Sequence, residues 1–134
     1  MRLVIAGSRT LTDYKLLLRC LQHTQFAVAL RTNNAVVLSG CAIGIDSLAI
    51  RWANKNGIAV ERYPPQWDVY GKYAGAVRNA TMLDAADGLL AIWNGYSLGT
   101  KYAIDYALAA GRPVEVFDVV PGDDSNFTVR RFNF

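Results

Sequence analysis

Three short segments combine glycine with hydroxyl or guanidinium side chains, which are the groups that bind phosphate. They are Gly7-Ser8-Arg9-Thr10, the stretch from Ser39 to Asp46, and the stretch from Asn94 to Thr100. Glycine lets the backbone approach a ligand closely, while hydroxyls, backbone amides and a guanidinium together favour an anion. Neither GxxxxGK[ST] nor GxGxxG occurs, so the segments are not a P-loop or a dinucleotide fingerprint.

A fourth segment, residues 67–79, adds basic and aromatic side chains. On a predicted helix, one side carries Lys72, Gly75, Arg78, Asn79 and Met82. A glycine within a helix costs about 1 kcal/mol relative to alanine, so we interpret this side as one that a ligand approaches closely. A solvated polar face is the alternative.

Hydrophobic periodicity predicts strands that alternate with helices. Gly57 and Gly111 are predicted helix stops, and Thr12 or Asp13 is the predicted cap of the first helix. The predicted strands cover residues 3–6, 35–38, 58–62, 88–93 and 113–118, and the predicted helices cover 13–30, 45–56, 71–86 and 100–110.

This alternation predicts the α/β class, as a Rossmann-like three-layer sandwich. The sheet is expected to be mostly parallel, with about five strands and a C-terminal edge strand or arm. In such a sheet, ligands bind beyond the carboxyl ends of the strands. The three glycine segments follow predicted strands one, two and four, so we expect them to meet at that edge.

The predicted ligand-binding residues come from all four segments. Asp46 is also a candidate catalytic acid or base, although it would serve equally as a partner of a helix amino terminus. Trp67 or Tyr96 would stack on a base, and for Trp67 a core position is equally compatible. The set is Gly7, Ser8, Arg9, Ser39, Gly40, Gly44, Asp46, Trp67, Lys72, Arg78, Asn79, Gly95, Tyr96, Ser97, Gly99 and Thr100.

Composition narrows the functional classes. A length of 134 residues predicts one domain, with a core over residues 1–118 and a C-terminal arm over 119–134. The net charge of +3 is dispersed along the chain, which argues against duplex DNA but permits an anionic small molecule.

Two separated cysteines and one histidine predict neither a disulfide framework nor a metal site, and we expect no cofactor. With no leader pattern, we expect a cytoplasmic protein.

The C-terminal segment differs from the rest of the chain. A turn is predicted over residues 121–124, and Phe127, Val129, Phe132 and Phe134 follow it. An aromatic tail of this kind is predicted to pair as an edge strand or to lie on the body of the protein or on a second subunit. Together with the apolar helices, it leads us to expect a homodimer or a larger homo-oligomer.

The motifs, taken in order, resemble the SLOG superfamily, which groups the Smf/DNA-processing proteins with the Lonely-guy phosphoribohydrolases. They are most similar to its small YspA-like branch, found in bacterial and phage chains. The resemblance covers about residues 1–118 and rests on residues 7–9, 39–46, 78–79, 97–100 and 111–114, together with Trp67, Gly71-Lys72 and Ala74-Gly75.

The resemblance implies a Rossmann-like fold that binds nucleotides or nucleotide-derived ligands at these loops. The Lonely-guy enzymes carry Gly-Gly-x-Gly-Thr-x-x-Glu, whose glutamate helps to cleave an N-glycosidic bond. Here Tyr96-Ser97 replaces Gly-Gly, and Ala103 stands where the glutamate would be. Asp46 or Asp105 would have to supply the carboxylate, although Asp105 would equally pair with Lys101.

Three functions remain open from the sequence. The first is binding of a nucleoside phosphate or ADP-ribose-like ligand, as a sensor or a sequestering protein. The second is a nucleoside-monophosphate phosphoribohydrolase, or N-glycosidase, with Asp46 as acid or base. The third is single-stranded DNA binding, which requires a basic track with stacking aromatic residues and which the dispersed charges disfavour.

Overall fold

The computed structural model describes residues 1–121 and 127–134, and it has an α/β architecture. The strands of the described residues form one sheet in the order β3-β2-β1-β4-β5-β6. These strands are β1 (Arg2–Gly7), β2 (Val36–Ser39), β3 (Ala59–Arg62), β4 (Gly88–Trp93), β5 (Val114–Pro121) and β6 (Phe127–Asn133). β1 to β5 are parallel, and β6 pairs antiparallel with β5 at the edge.

Helices cover both faces of this sheet. They are α1 (Tyr14–His23), α2 (Ala27–Leu30), α3 (Ile45–Lys55), α4 (Trp67–Tyr70), α5 (Ala74–Asp84) and α6 (Leu98–Ala109), with a 3-10 turn over Gly71–Tyr73. Residues of α1, α2 and α3 pack on one face and residues of α5 and α6 on the other, which gives three layers. The predicted fold class is therefore confirmed, including the C-terminal edge strand.

Both faces of the central strands are buried, which explains their nearly continuous apolar sequence. In β1, Leu3 and Ile5 belong to the core beneath α1 and α3, whereas Val4 and Ala6 belong to the core beneath α5 and α6. Strands with two covered faces need apolar side chains at odd and even positions alike.

Among the described residues, no helix has the length and apolar character needed to cross a membrane.

Local signals place several helix ends correctly. The Asp13 carboxylate accepts a hydrogen bond of 2.9 Å from the backbone N–H of Lys15 and so caps α1. Gly57 and Gly111 follow α3 and α6 with φ of +67° and +73°, as expected for helix stops.

The prediction of one helix over residues 13–30 is wrong, because the helix breaks after His23. Thr24 donates its hydroxyl to the carboxylate of Glu115 at 2.5 Å, and the backbone N–H of Gln25 binds the same carboxylate at 3.1 Å. That N–H is therefore diverted from the helix. Val28, which a continuous amphipathic helix over 13–30 would place on the apolar face, is 78% exposed in α2.

Three further boundaries differ from the predictions. The helix predicted over residues 71–86 begins with a 3-10 turn, so Lys72 precedes α5 and does not share its face with Arg78. Trp67, predicted to lie in a loop, begins α4. β5 continues to Pro121 because β6 pairs along its whole length. The turn predicted over residues 121–124 lies mainly outside the described residues.

Candidate functional site

A cavity of about 190 Å³ lies where the strand order of the sheet reverses, between the carboxyl ends of β1 and β4. In doubly wound sheets, this reversal opens a crevice because the following loops diverge to opposite sides. The cavity is lined by Ala6, Gly7, Arg9, Ala42, Asp46, Arg78, Asn79, Ser97, Gly99, Thr100 and Ala103. We refer to it below as the switch-point cavity.

Glycines bring the segments around this cavity into contact. A Cβ on Gly7 would lie 2.3 Å from the carbonyl oxygen of Ile92 in β4. Gly44, with φ of +80°, would place a Cβ 2.5 Å from the carbonyl oxygen of Ser8. The loop after β1 thus contacts both the end of β4 and the start of α3. These contacts are possible only because Gly7 and Gly44 have no side chain.

The hydroxyls of Ser8 and Ser39 are used within the protein. Ser8 is fully buried, and its Oγ accepts a hydrogen bond of 3.0 Å from the backbone N–H of Asn94. Ser39 is also fully buried; its Oγ donates to the carbonyl of Asp46 at 3.1 Å and accepts from the N–H of Cys41 at 3.2 Å. Both serines therefore fix loops, and neither lines the cavity.

Asp46, in the first turn of α3, is a carboxylate in the wall of the switch-point cavity and is 6% exposed. Its Oδ2 accepts a hydrogen bond of 3.2 Å from the backbone N–H of Ala42. Burial raises the pKa of Asp46 to about 6, against the opposing effects of that N–H and of the Arg78 charge. A carboxyl group that titrates near neutral pH is suited to proton transfer.

Arg78 joins α5 to the ends of β2 and β3. Its Nη1 donates to the carbonyl of Gly40 and, at 3.3 Å, to the carbonyl of Tyr63. Its Nε donates to the side-chain oxygen of Asn79 at 2.7 Å, and Asn79 in turn donates to the carbonyl of Gly99 at 3.4 Å. Burial lowers the pKa of Arg78, opposed by the nearby Asp46 carboxylate.

The loop after β4 aims the amino terminus of α6 at the cavity. The side-chain oxygen of Asn94 accepts hydrogen bonds of 2.9 Å from the backbone N–H groups of Tyr96 and Ser97. The hydroxyls of Ser97 and Thr100 lie 3.2 Å apart. Because the first N–H groups of a helix have no partner within the helix, this end attracts anions.

Eight of the predicted residues line the switch-point cavity, and the other eight do not. The first group is Gly7, Arg9, Asp46, Arg78, Asn79, Ser97, Gly99 and Thr100. Gly40 lies beside the cavity under Arg78, and Gly44 packs against the β1 loop. Trp67 and Tyr96 are 53% and 86% exposed, and Lys72 lies over the ring of Tyr73. Gly95 has a φ of +85° and lies near Asp118.

Three lining residues were not among the predicted ligand-binding residues: Ala6, Ala42 and Ala103. Their methyl groups carry no chemical signal, although Ala103 follows Thr100 at helical spacing and so shares its face. Ala103 stands where the Lonely-guy motif compared above has its glutamate. The cavity therefore lacks the glutamate of that motif, and Asp46 supplies a carboxylate to it instead.

Two comparisons with known proteins bear on this site. A family model described as YspA, cpYpsA-related SLOG family matches residues 1–70, which include β1, β2 and the loops that follow them. The chain is also 40% identical over 92 residues to the Gene 61 protein of Mycobacterium phage D29, covering 64% of this chain and 74% of that protein.

Proposed function

The chain belongs to the YspA, cpYpsA-related SLOG family, and on that premise we propose that it binds a nucleotide or nucleotide-derived ligand in the switch-point cavity. The observation that carries this proposal is the convergence of two guanidinium groups, Arg9 and Arg78, with the amino terminus of α6 on one crevice. This combination favours phosphate. Binding of the ligand, without any reaction, would be sufficient for a sensor or a sequestering protein.

The positions of the lining residues suggest which part of the ligand each of them would bind. Phosphate would accept hydrogen bonds from the N–H groups of residues 98–100, from the hydroxyl of Thr100 and from Arg9. Asp46 lies on the other side of the crevice, in the first turn of α3, where its carboxylate would accept hydrogen bonds from ribose hydroxyls. In dinucleotide-binding sheets, an acidic residue after a neighbouring strand makes contacts of this kind with the ribose.

Calorimetry tests the binding proposal. The wild-type protein would be titrated with nucleoside mono- and diphosphates, ADP-ribose and inorganic phosphate. We expect saturable binding of at least one nucleotide, with tighter binding than for inorganic phosphate. Absence of binding at millimolar concentrations across the panel would refute the proposal.

A second candidate, cleavage of the N-glycosidic bond of a nucleoside monophosphate, is favoured by one observation. Asp46 has a pKa of about 6 and lines the same cavity, so it would exchange a proton at neutral pH. Water would add to the sugar carbon as the base departs and takes up a proton. Chromatography would detect free base and ribose 5-phosphate, and both products should disappear in Asp46→Asn.

A further inference from the structure

A second cavity, of about 300 Å³, lies beside the switch-point cavity and shares one lining residue with it, Arg78. It opens between the segment after β3 and one side of α5. Its lining includes Arg62, Tyr63, Gln66, Tyr70, Val77 and Thr81. We call it the α5 cavity.

Arg78 forms the boundary between the two cavities. Its Nη1 donates both to the carbonyl of Gly40 and, at 3.3 Å, to that of Tyr63. Gly40 lies beside the switch-point cavity, next to Asp46, while Tyr63 lines the α5 cavity. Arg78 itself lines both cavities. A ligand placed along the face of this guanidinium would therefore reach both cavities.

The two cavities offer different chemistry. The switch-point cavity contains a buried carboxylate, two hydroxyls and a helix amino terminus, all of which are suited to ribose and phosphate. The α5 cavity has no carboxylate in its lining and combines the Tyr70 ring with the aliphatic side chain of Val77. Thr81, Gln66 and Arg62 add hydrogen-bonding groups at its edges. A planar ring with polar edge atoms matches this lining.

We propose that the α5 cavity holds the base of a nucleotide whose ribose and phosphate occupy the switch-point cavity, with Arg78 between the two parts. This inference rests on the proposed function and adds the position of the base. The Tyr70 ring, 43% exposed, is available for stacking. Trp67 and Tyr96, which the sequence suggested for this role, line neither cavity.

The experiment compares ligands with and without a base. Wild-type protein and variants would be titrated with the four nucleoside 5′-monophosphates and with ribose 5-phosphate. Because stacking of a base on an aromatic ring contributes affinity, Tyr70→Ala should weaken binding of the preferred nucleotide about tenfold. Binding of ribose 5-phosphate should not change. Thr81→Trp, which would fill the α5 cavity from an exposed helix position, should give the same pattern.

Matched controls separate stacking from disturbance of the fold. Tyr70→Phe keeps the ring and should keep wild-type affinity. Tyr73→Ala removes an exposed ring three residues further on that does not line the cavity, and it should have no effect. In amide NMR spectra, the nucleotide should shift the signals of Val77 and Thr81, whereas ribose 5-phosphate should shift only those around the switch-point cavity, near Thr100 and Asp46.

The outcomes are distinguishable. Nucleotide binding that survives both Tyr70→Ala and Thr81→Trp, with no shift at Val77, would overturn the position of the base and leave the proposed function standing. An equal loss for nucleotide and ribose 5-phosphate would also overturn it. If the wild type binds no phosphate ligand at all, the proposed function itself fails.

Discussion

The guanidinium of Arg78 donates to the carbonyl of Gly40 and lies where a side chain at position 40 would begin. A Cβ on Gly40 would lie 2.5 Å from Nη1 of Arg78 and 2.9 Å from Oδ2 of Asp46. The missing side chain thus allows α5 to contact the end of β2. Because Arg78 borders both cavities, this contact ties the backbone of β2 to the candidate site.

Gly40→Ala tests this relationship. The methyl group would displace Arg78 from the carbonyl of residue 40, and overpacking of this kind costs about 1–3 kcal/mol in the free energy of unfolding. Nucleotide affinity should fall as well. Urea denaturation and calorimetry would measure the two effects, and unchanged values for both would contradict the role assigned to Gly40.

Gly75→Ala is the matched control on α5. The sequence suggested that something approaches Gly75 closely, but the nearest atom to a Cβ there is the edge of the Trp67 ring at 4.0 Å. Since alanine is the better helix former, this variant should raise the free energy of unfolding by about 0.5–1 kcal/mol. A loss of stability would mean that the space beside Gly75 is needed.

Arg9→Ala and Thr100→Ala should each weaken nucleotide binding. Hydrogen bonds to charged groups contribute about 1.5–3 kcal/mol, which corresponds to roughly a tenfold to hundredfold loss of affinity. Lys101→Ala is the control, because Lys101 is exposed, pairs with Asp105 at 2.7 Å and does not line the cavity. Equal losses in Arg9→Ala and Lys101→Ala, with no loss in Thr100→Ala, would instead indicate non-specific attraction to positive charge.

Asp46→Asn should change how stability depends on pH. Burial raises the pKa of Asp46 from 3.8 to about 6, so the folded chain holds this proton more tightly than the unfolded chain. The resulting stabilisation is fully present below about pH 4 and is lost as the pH rises through 6. At about 1.4 kcal/mol per pKa unit, the loss reaches about 3 kcal/mol.

Asparagine removes this titration while keeping the shape of the side chain. Relative to wild type, the stability of Asp46→Asn should therefore improve by up to about 3 kcal/mol between pH 4 and pH 7. Urea titrations across this range would measure the difference, with the exposed Asp105→Asn as control. A difference between variant and wild type that stays constant with pH would show that Asp46 titrates normally.

Glu115→Ala should destabilise the fold strongly. The Glu115 carboxylate is fully buried and accepts hydrogen bonds from Thr24 and Gln25, and the Arg131 guanidinium lies 3.6 Å away. Removing it leaves the Thr24 hydroxyl and the Gln25 N–H without this acceptor, and each buried polar group left unsatisfied costs about 1–3 kcal/mol. Asp105→Ala, in an exposed pair, should cost less than about 1 kcal/mol. Similar losses in the two variants would contradict the structural role of Glu115.

The sequence predicted the layered sheet because hydrophobic periodicity is a local property. Each strand and each major helix left its own pattern, and Asp13, Gly57 and Gly111 marked helix ends through contacts within a few residues. The break after His23 left no such mark. It depends on Glu115, which is 91 residues from Thr24 in the chain, and local periodicity does not report a partner at that distance.

The candidate site, too, could be predicted only in part from the sequence. Sequence alone determined that glycine, hydroxyl and basic residues follow strands one, two and four, since strand ends and residue types are read directly from the chain. Only the tertiary structure decided which of those groups face a cavity: it turned the hydroxyls of Ser8 and Ser39 inward and placed Arg78 between two cavities. The physical reason is that a side chain's direction and partners depend on which distant segments pack against it, and strand order and helix packing are fixed only when the whole sheet assembles.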